Sequence, residues 1–137
     1  MNKVLIIGKG GREHALAWKF ASYNSVEQVF CAPGNPGIAN ENKVSAISIE
    51  ANNVEELLKF AQEEKITLTV VGPEGPLVEG IVDRFNEEGL RCFGPTKEAA
   101  KLEGSKIYAK EFFERHGIPS GNYEVFSDFD LAMDFLK

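Results

Sequence analysis

The feature that most constrains this chain is an alternation running almost from end to end. Short apolar runs, each closed by a Gly/Pro-rich turn, are separated by stretches with helical spacing. Residues 4–7 are apolar at every position, the pattern of a strand covered on both faces in a parallel sheet. From 13 to 23 the period becomes helical, with Leu16, Phe20 and Tyr23 on one face. Strand patterns return at 28–32, at 45–49 (expected at an edge), at 68–71 and briefly at 91–93. Between them Val54, Leu57, Leu58 and Ala61, and later Val78, Ile81, Val82 and Phe85, keep the i, i+3, i+4, i+7 spacing of a one-sided helix. Asn53 and Glu56 supply a helix-opening capping signature. The order β-α-β-β-α-β-α-β predicts a Rossmann-like α/β fold: a mostly parallel sheet, right-handed crossovers, helices on both faces.

Beyond Gly94 the rhythm changes. Two helices are expected at 97–103 and 105–116, broken at Gly104, the second with Ala109, Phe112, Phe113 and His116 on one face and a stop at Gly117-Ile118-Pro119. A strand at 123–126 and a helix capped by Ser127 and Asp130, running to the end of the sequence, complete the pattern. So few elements cannot enclose a core. The chain is therefore expected to divide into an N-terminal domain, 1–96, and the opening of an incomplete second domain, 97–137.

Composition narrows the function classes. Lys+Arg is 15 against Asp+Glu 21, a net charge of -6, which argues against a nucleic-acid tract, since phosphate backbones demand surplus positive charge. The apolar start is too short for a signal peptide or membrane span, so a cytoplasmic protein with no membrane partner is expected. Cys31 and Cys92 form no CxxC and have no histidine at zinc spacing, and read as small buried apolar residues.

Open parallel sheets bind ligands outside the carboxyl ends of their strands. Four expected strands end there in Gly/Pro-rich loops: Gly8-Lys9-Gly10-Gly11, Pro33-Gly34-Asn35-Pro36-Gly37, Gly72-Pro73-Glu74-Gly75-Pro76 and Gly94-Pro95-Thr96. The first, Gly8-x-Gly10-x-x-Glu13, opens a helix whose free N–H groups favour an anion, and Arg12 adds a guanidinium able to grip phosphate. Glu13 stands where the dinucleotide fingerprint has its third glycine, and Cys31-Ala32-Pro33 offers no acid for an adenosine ribose. No Gly-Lys-Ser/Thr is present either. The loop therefore points to a phosphate on a ligand smaller than a dinucleotide.

Other polar residues carry two readings each. Glu74 suits a sugar hydroxyl or an amine, or simply a helix N-terminus. Asn35 either donates to a ligand or shapes its turn. His14 has no paired acid or nucleophile in the motif and reads as structural, and His116 as a helix C-terminal cap. Lys106 begins a helix, where a cation opposes the dipole, which suggests an anionic partner or a solvated lysine.

The stretches Gly8-Lys9-Gly10-Gly11-Arg12-Glu13-His14-Ala15-Leu16-Ala17-Trp18-Lys19, Ala32-Pro33-Gly34-Asn35-Pro36-Gly37 and Val71-Gly72-Pro73-Glu74-Gly75-Pro76-Leu77-Val78-Glu79-Gly80-Ile81-Val82-Asp83 together resemble the glycinamide ribonucleotide synthetases, or phosphoribosylamine–glycine ligases. So do Phe93-Gly94-Pro95-Thr96, Leu102-Glu103-Gly104-Ser105-Lys106 and Ile118-Pro119. Gly75 departs from the alanine common in that family. The resemblance implies an ATP-grasp ligase of purine synthesis that joins glycine to 5-phosphoribosylamine through glycyl phosphate, in a monomer whose partners are small molecules. It implies substrate binding by Gly10, Gly11, Arg12, Glu13, Asn35 and Glu74, and contact of Lys106 with ATP. The ligands of Mg²⁺ (or Mn²⁺) and the catalytic residues are implied to lie in later sequence, so the 137-residue chain alone is expected to be inactive. Two other classes stay open: a free-standing phosphosugar-binding module, and a dinucleotide-binding oxidoreductase domain, which Glu13 and the missing ribose acid disfavour.

Overall fold

The computed structural model describes residues 1–136. Its elements are β1 (Asn2–Gly8), α1 (Gly11–Ala21), β2 (Val26–Pro33), a 3-10 turn (Ile38–Asn40), β3 (Val44–Ala46), α2 (Val54–Glu63), β4 (Leu68–Val71), α3 (Glu74–Glu79), α4 (Ile81–Glu87), β5 (Cys92–Phe93), α5 (Lys97–Gly104), α6 (Lys106–Arg115) and α7 (Phe129–Phe135). They fall into two compact units, Met1–Ala100 and Lys101–Lys137. Lys137, the last residue of the expected second domain and of its closing helix, lies outside the described residues.

In the first unit the five strands form one sheet in the order β3-β2-β1-β4-β5. Every pairing is parallel. The sheet is the Rossmann-like α/β arrangement the alternation predicts, with β3 at an edge. β1 lies at its centre, with Ile6 opposite Cys31 on one side and Val70 on the other. Its side chains alternate between two cores. Leu5 and Ile7 face a cluster with Leu57, Leu58, Ile81 and Phe85, while Val4 and Ile6 face Ala17, Val29, Cys31 and Ile38. Helices thus cover both faces, which is why residues 4–7 are uninterruptedly apolar. Truncating Leu5 to alanine would cost ~2–5 kcal/mol by the usual toll for a buried leucine.

The chain passes from β1 to β2 and β3 on one side, then returns to place β4 and β5 on the other. Loops leaving β1 and its neighbours therefore diverge at the carboxyl edge and leave a crevice between them.

Some boundaries differ from the sequence reading. The helical pattern of Val78, Ile81, Val82 and Phe85 spans two helices, because Gly80 adopts φ 98 and caps both α3 and α4. Its N–H donates to Pro76 O and Leu77 O, closing the first helix as the chain turns into the second. β3 is shorter than 45–49; after it Ile47 N still donates to Cys31 O at 2.9 Å, and then the chain turns. The 3-10 turn carries no sequence signature and was not expected. Ala100, 5% exposed, joins the first core, so the first turn of α5 packs with the first unit.

In the second unit α6 is capped by Ser105, whose hydroxyl accepts from Tyr108 N at 3.2 Å. The strand expected at 123–126 does not form: this stretch is irregular, having no partner strand in its unit. The cap of α7 is Asp128 rather than Ser127, its Oδ1 accepting from Asp130 N at 2.9 Å and Leu131 N at 3.0 Å. His116 occupies the C-cap of α6, its ring 4.3 Å from that of Phe112.

Candidate functional site

A cavity of about 510 Å³ opens at the carboxyl edge of the sheet in the first unit. The turn after β1 supplies Gly8, Lys9 and Gly10, with Glu13 from the first turn of α1. β2 contributes Pro33, and the loop after β4 contributes Pro73 to Pro76. Glu50, Ala51 and Asn52, between β3 and α2, close the remaining side. Backbone bonds fix the rim, since Gly34 N donates to Gly8 O at 3.1 Å and Gly72 N to Ile7 O at 3.0 Å. The structure thus brings Gly10, Glu13 and Glu74 to one cavity.

Glu13 is the least expected member in its orientation. Its side chain is 4% exposed, and Oε2 accepts from Gly10 N at 2.6 Å, the returning half of a capping box. Oε1 is buried with no hydrogen-bond partner, and Arg12 Nε stands 3.7 Å from it. A Cβ on Gly8, Gly10 or Gly72 would collide with this side chain. These three glycines therefore clear space for a carboxylate of the chain itself, where sequence reasoning saw clearance for a ligand. The signal was present in the acid occupying the fingerprint's third glycine position.

The capping bond also redraws the anion-binding turn. Gly10 N–H is engaged, which leaves the first N–H groups of α1, those of Gly11, Arg12 and Glu13, without intrahelical partners. Gly11 and Arg12 are exposed and lie outside the cavity wall, and a Cβ on Gly11 would meet nothing within 4 Å.

Asn35 joins two loops. Its Nδ2 donates to Lys9 O at 2.8 Å, while Oδ1 accepts from Gly37 N at 2.9 Å and Ile38 N at 3.0 Å. His14 adds a second tie, with Nε2 2.8 Å from Glu41 Oε1. The acid that the motif itself lacks is thus supplied by Glu41, 27 residues along the chain. Glu74 is the first residue of α3 and exposed, with its carboxylate on the cavity wall.

Of the four Gly/Pro loops, three reach the cavity. The fourth does not, and Gly94 serves packing, since a Cβ there would strike Leu77 Cδ2 and Val82 Cγ2. Sequence reasoning missed Glu50, Ala51 and Asn52, whose loop carries neither glycine nor proline. The rule that every βα loop of a parallel sheet opens at one edge was the signal available.

Cys31 and Cys92 are free thiols. Burial pushes Cys31 up to about 12, helped by the charge of Glu13, and burial alone does the same to Cys92. Cys31 is the small buried apolar residue expected, whereas Cys92 is only half-buried. In the second unit, Lys106 is the first residue of α6, directly after its Ser105 cap. Among the described residues no helix is long and apolar enough to cross a membrane.

Comparison with known proteins meets this geometry. The family described as phosphoribosylglycinamide synthetase, N domain, matches residues 2–103. Phosphoribosylamine–glycine ligase of Allochromatium vinosum is 55% identical over 135 residues, covering 98% of this chain and 32% of the relative. The enzymes of that name from Haemophilus influenzae and Clostridium acetobutylicum are 53% and 50% identical, covering 98% of this chain and 31% and 32% of theirs. The chain thus spans about a third of the length of these curated relatives. Among solved structures, the biotin carboxylase domain of a single-chain bacterial carboxylase superposes with a TM-score of 0.70 at 20% identity, over 99% of this chain and 34% of that one. The biotin carboxylase domain of Hydrogenobacter thermophilus 2-oxoglutarate carboxylase gives 0.69 at 20% identity, over 98% of this chain and 32% of that one. These two likenesses establish the shared α/β fold. A parallel sheet with a strand-edge cavity, a family match over three-quarters of the chain and relatives 50–55% identical agree, and the chain belongs to the phosphoribosylglycinamide synthetase family, whose N domain it carries.

Proposed function

We propose that this chain is the substrate-binding N-terminal part of a phosphoribosylamine–glycine ligase. That enzyme phosphorylates the carboxylate of glycine with ATP to give glycyl phosphate and ADP. The amine of 5-phosphoribosylamine then displaces phosphate to form glycinamide ribonucleotide, a step of purine synthesis in the cytoplasm. The observation that carries this reading is the identity of 50–55%, over 98% of the chain, to proteins of that name.

The cavity suits the ligand. On this reading the phosphate sits against the N–H groups at the start of α1, where an anion is favoured by donors and dipole together, and Arg12 pairs with it. Glu74, on the cavity wall, accepts from the amine or a sugar hydroxyl. Glu13 and Asn35 act one step back, as positioning residues that hold the turn after β1 and the loop after β2 in place. Lys106 is assigned to the phosphates of ATP, because a cation at a helix start gains nothing from the dipole and suits an anionic ligand. Among the described residues no group of three or more His, Cys, Asp or Glu could hold a metal ion.

Calorimetric titration tests the assignment. Glycinamide ribonucleotide should bind the 137-residue chain saturably and one to one, and NADH should not bind. The reverse pattern would overturn it in favour of a dinucleotide site.

A further inference from the structure

We propose that Asn52 and Glu50, on the turn between β3 and α2, form the sugar-recognising side of the cavity and hold hydroxyls of a phosphorylated pentose. The proposal rests on the reading that a sugar phosphate occupies the cavity, and it names which residues select the sugar. Both line the cavity wall, together with the carboxylates of Glu13 and Glu74. Three carboxylates repel a phosphate, and they match the part of a ligand that carries hydrogen-bond donors and no negative charge.

Glu13 stands beside Glu50 and Asn52 on the same wall. Its side chain is 4% exposed and forms part of the cavity wall, yet Oε1 has no hydrogen-bond partner. Buried carboxylate oxygens are costly to leave unmatched, and Arg12 Nε at 3.7 Å gives this one an ion pair in place of a hydrogen bond.

The turn is built to present its side chains. Asn53 N donates to Glu50 O and Val54 N to Asn52 O, both at 3.0 Å. Asn53 then caps α2, accepting from Glu56 N at 3.4 Å while its Nδ2 donates to Glu56 Oε2 at 2.6 Å. The backbone is thus held by its own bonds, and the side chains of Glu50 and Asn52 are left to the cavity. Asn52 Oδ1 lies 3.2 Å from where a Cβ on Gly75 would stand, so the bare backbone at Gly75 gives the carboxamide its place. An amide is both donor and acceptor, as is a hydroxyl, and a carboxylate completes the pair as a second acceptor.

The experiment titrates ribose 5-phosphate and inorganic phosphate into the 137-residue chain, Asn52→Ala and Glu50→Ala, with thermal melts as the folding control. Both positions are exposed, so the variants should melt with the wild type. Wild type should bind ribose 5-phosphate more tightly than phosphate. Each variant should lose roughly three- to tenfold in ribose 5-phosphate affinity, the worth of one hydrogen bond, and keep its affinity for phosphate. Unchanged ribose 5-phosphate binding in both variants would overturn the assignment while leaving the cavity as a sugar-phosphate site. A wild type that binds ribose 5-phosphate no better than phosphate would overturn both.

Discussion

Glu13 shows how one side chain can set the shape of a whole strand edge. Its carboxylate fills the space that three glycines leave open, so the effect of a methyl group at Gly72 depends on what stands at position 13. Gly72→Ala should destabilise the fold by ~1–3 kcal/mol, as overpacking of a tight site does. In a Glu13→Ala background the same change should cost far less. Urea midpoints of the four proteins in this cycle measure the coupling, and additive effects would show that the two positions do not touch. The thiols make a second case at this scale. Folding raises Cys31 and Cys92 from the ordinary 9.0 to about 12, so the folded state holds its thiol protons more tightly than the unfolded chain does. Their contribution to stability is fully present below pH 9.0 and is lost as pH climbs toward 12. The stability gap between the chain and a Cys31→Ala/Cys92→Ala variant should therefore narrow between about pH 8 and pH 10.5. Burial of Cys31 was legible in the sequence because it stands in an apolar strand pattern, while Cys92, in the short edge strand, is only half-buried. The inward turn of Glu13 was not legible, since spacing places a residue on a helix without saying which way its carboxylate leans.

At the scale of the element, periodicity and backbone conformation are separate kinds of information. Ile81, Val82 and Phe85 are all buried and Val78 packs against the same core, so the apolar stripe is continuous. The helix beneath it is not. Gly80, at φ 98, breaks it without disturbing the spacing, because the side chains on either side still face one core. An L residue in that conformation is strained by ~1–2 kcal/mol, and a Cβ there would stand 3.3 Å from Lys97 Cδ. Gly80→Ala should lower stability by about that amount, read as a shift of the urea midpoint at constant slope. A neutral result would mean that α3 and α4 can fuse into one helix. The expected strand at 123–126 failed for the opposite reason: its residue pattern is local, whereas a strand needs a partner. The central strands of the sheet were readable because each has its partners within the same unit.

Across the whole molecule, a net charge of -6 stands beside the proposal that the first turn of α1 seats an anion. The reconciliation is spatial. Glu50 and Glu74 line the cavity, whereas Arg12 and the N–H groups of Gly11, Arg12 and Glu13 that lack intrahelical partners belong to the first turn of α1, and Gly11 and Arg12 lie outside the cavity wall. The sequence pattern placed the loops at one edge through the logic of parallel sheets, and three of the four arrived there. The β3–α2 turn escaped notice because ordinary residues form it, and its place on the wall depends on the order β3-β2-β1-β4-β5 rather than on any motif.

Whether the start of α1 seats the phosphate of a phosphoribosyl ligand is decided at Gly11. A Cβ there meets nothing within 4 Å, so alanine and aspartate should both fold. Aspartate would place a carboxylate where the phosphate sits, and two like charges ~4 Å apart repel by about 1 kcal/mol in water and 4 kcal/mol at an effective dielectric of 20. The measurement is the calorimetric affinity of glycinamide ribonucleotide for wild type, Gly11→Ala and Gly11→Asp at matched stability. The account expects Gly11→Ala to stay close to wild type and Gly11→Asp to bind at least about tenfold more weakly. Equal affinities for the two variants would contradict it and remove this turn from the phosphate site.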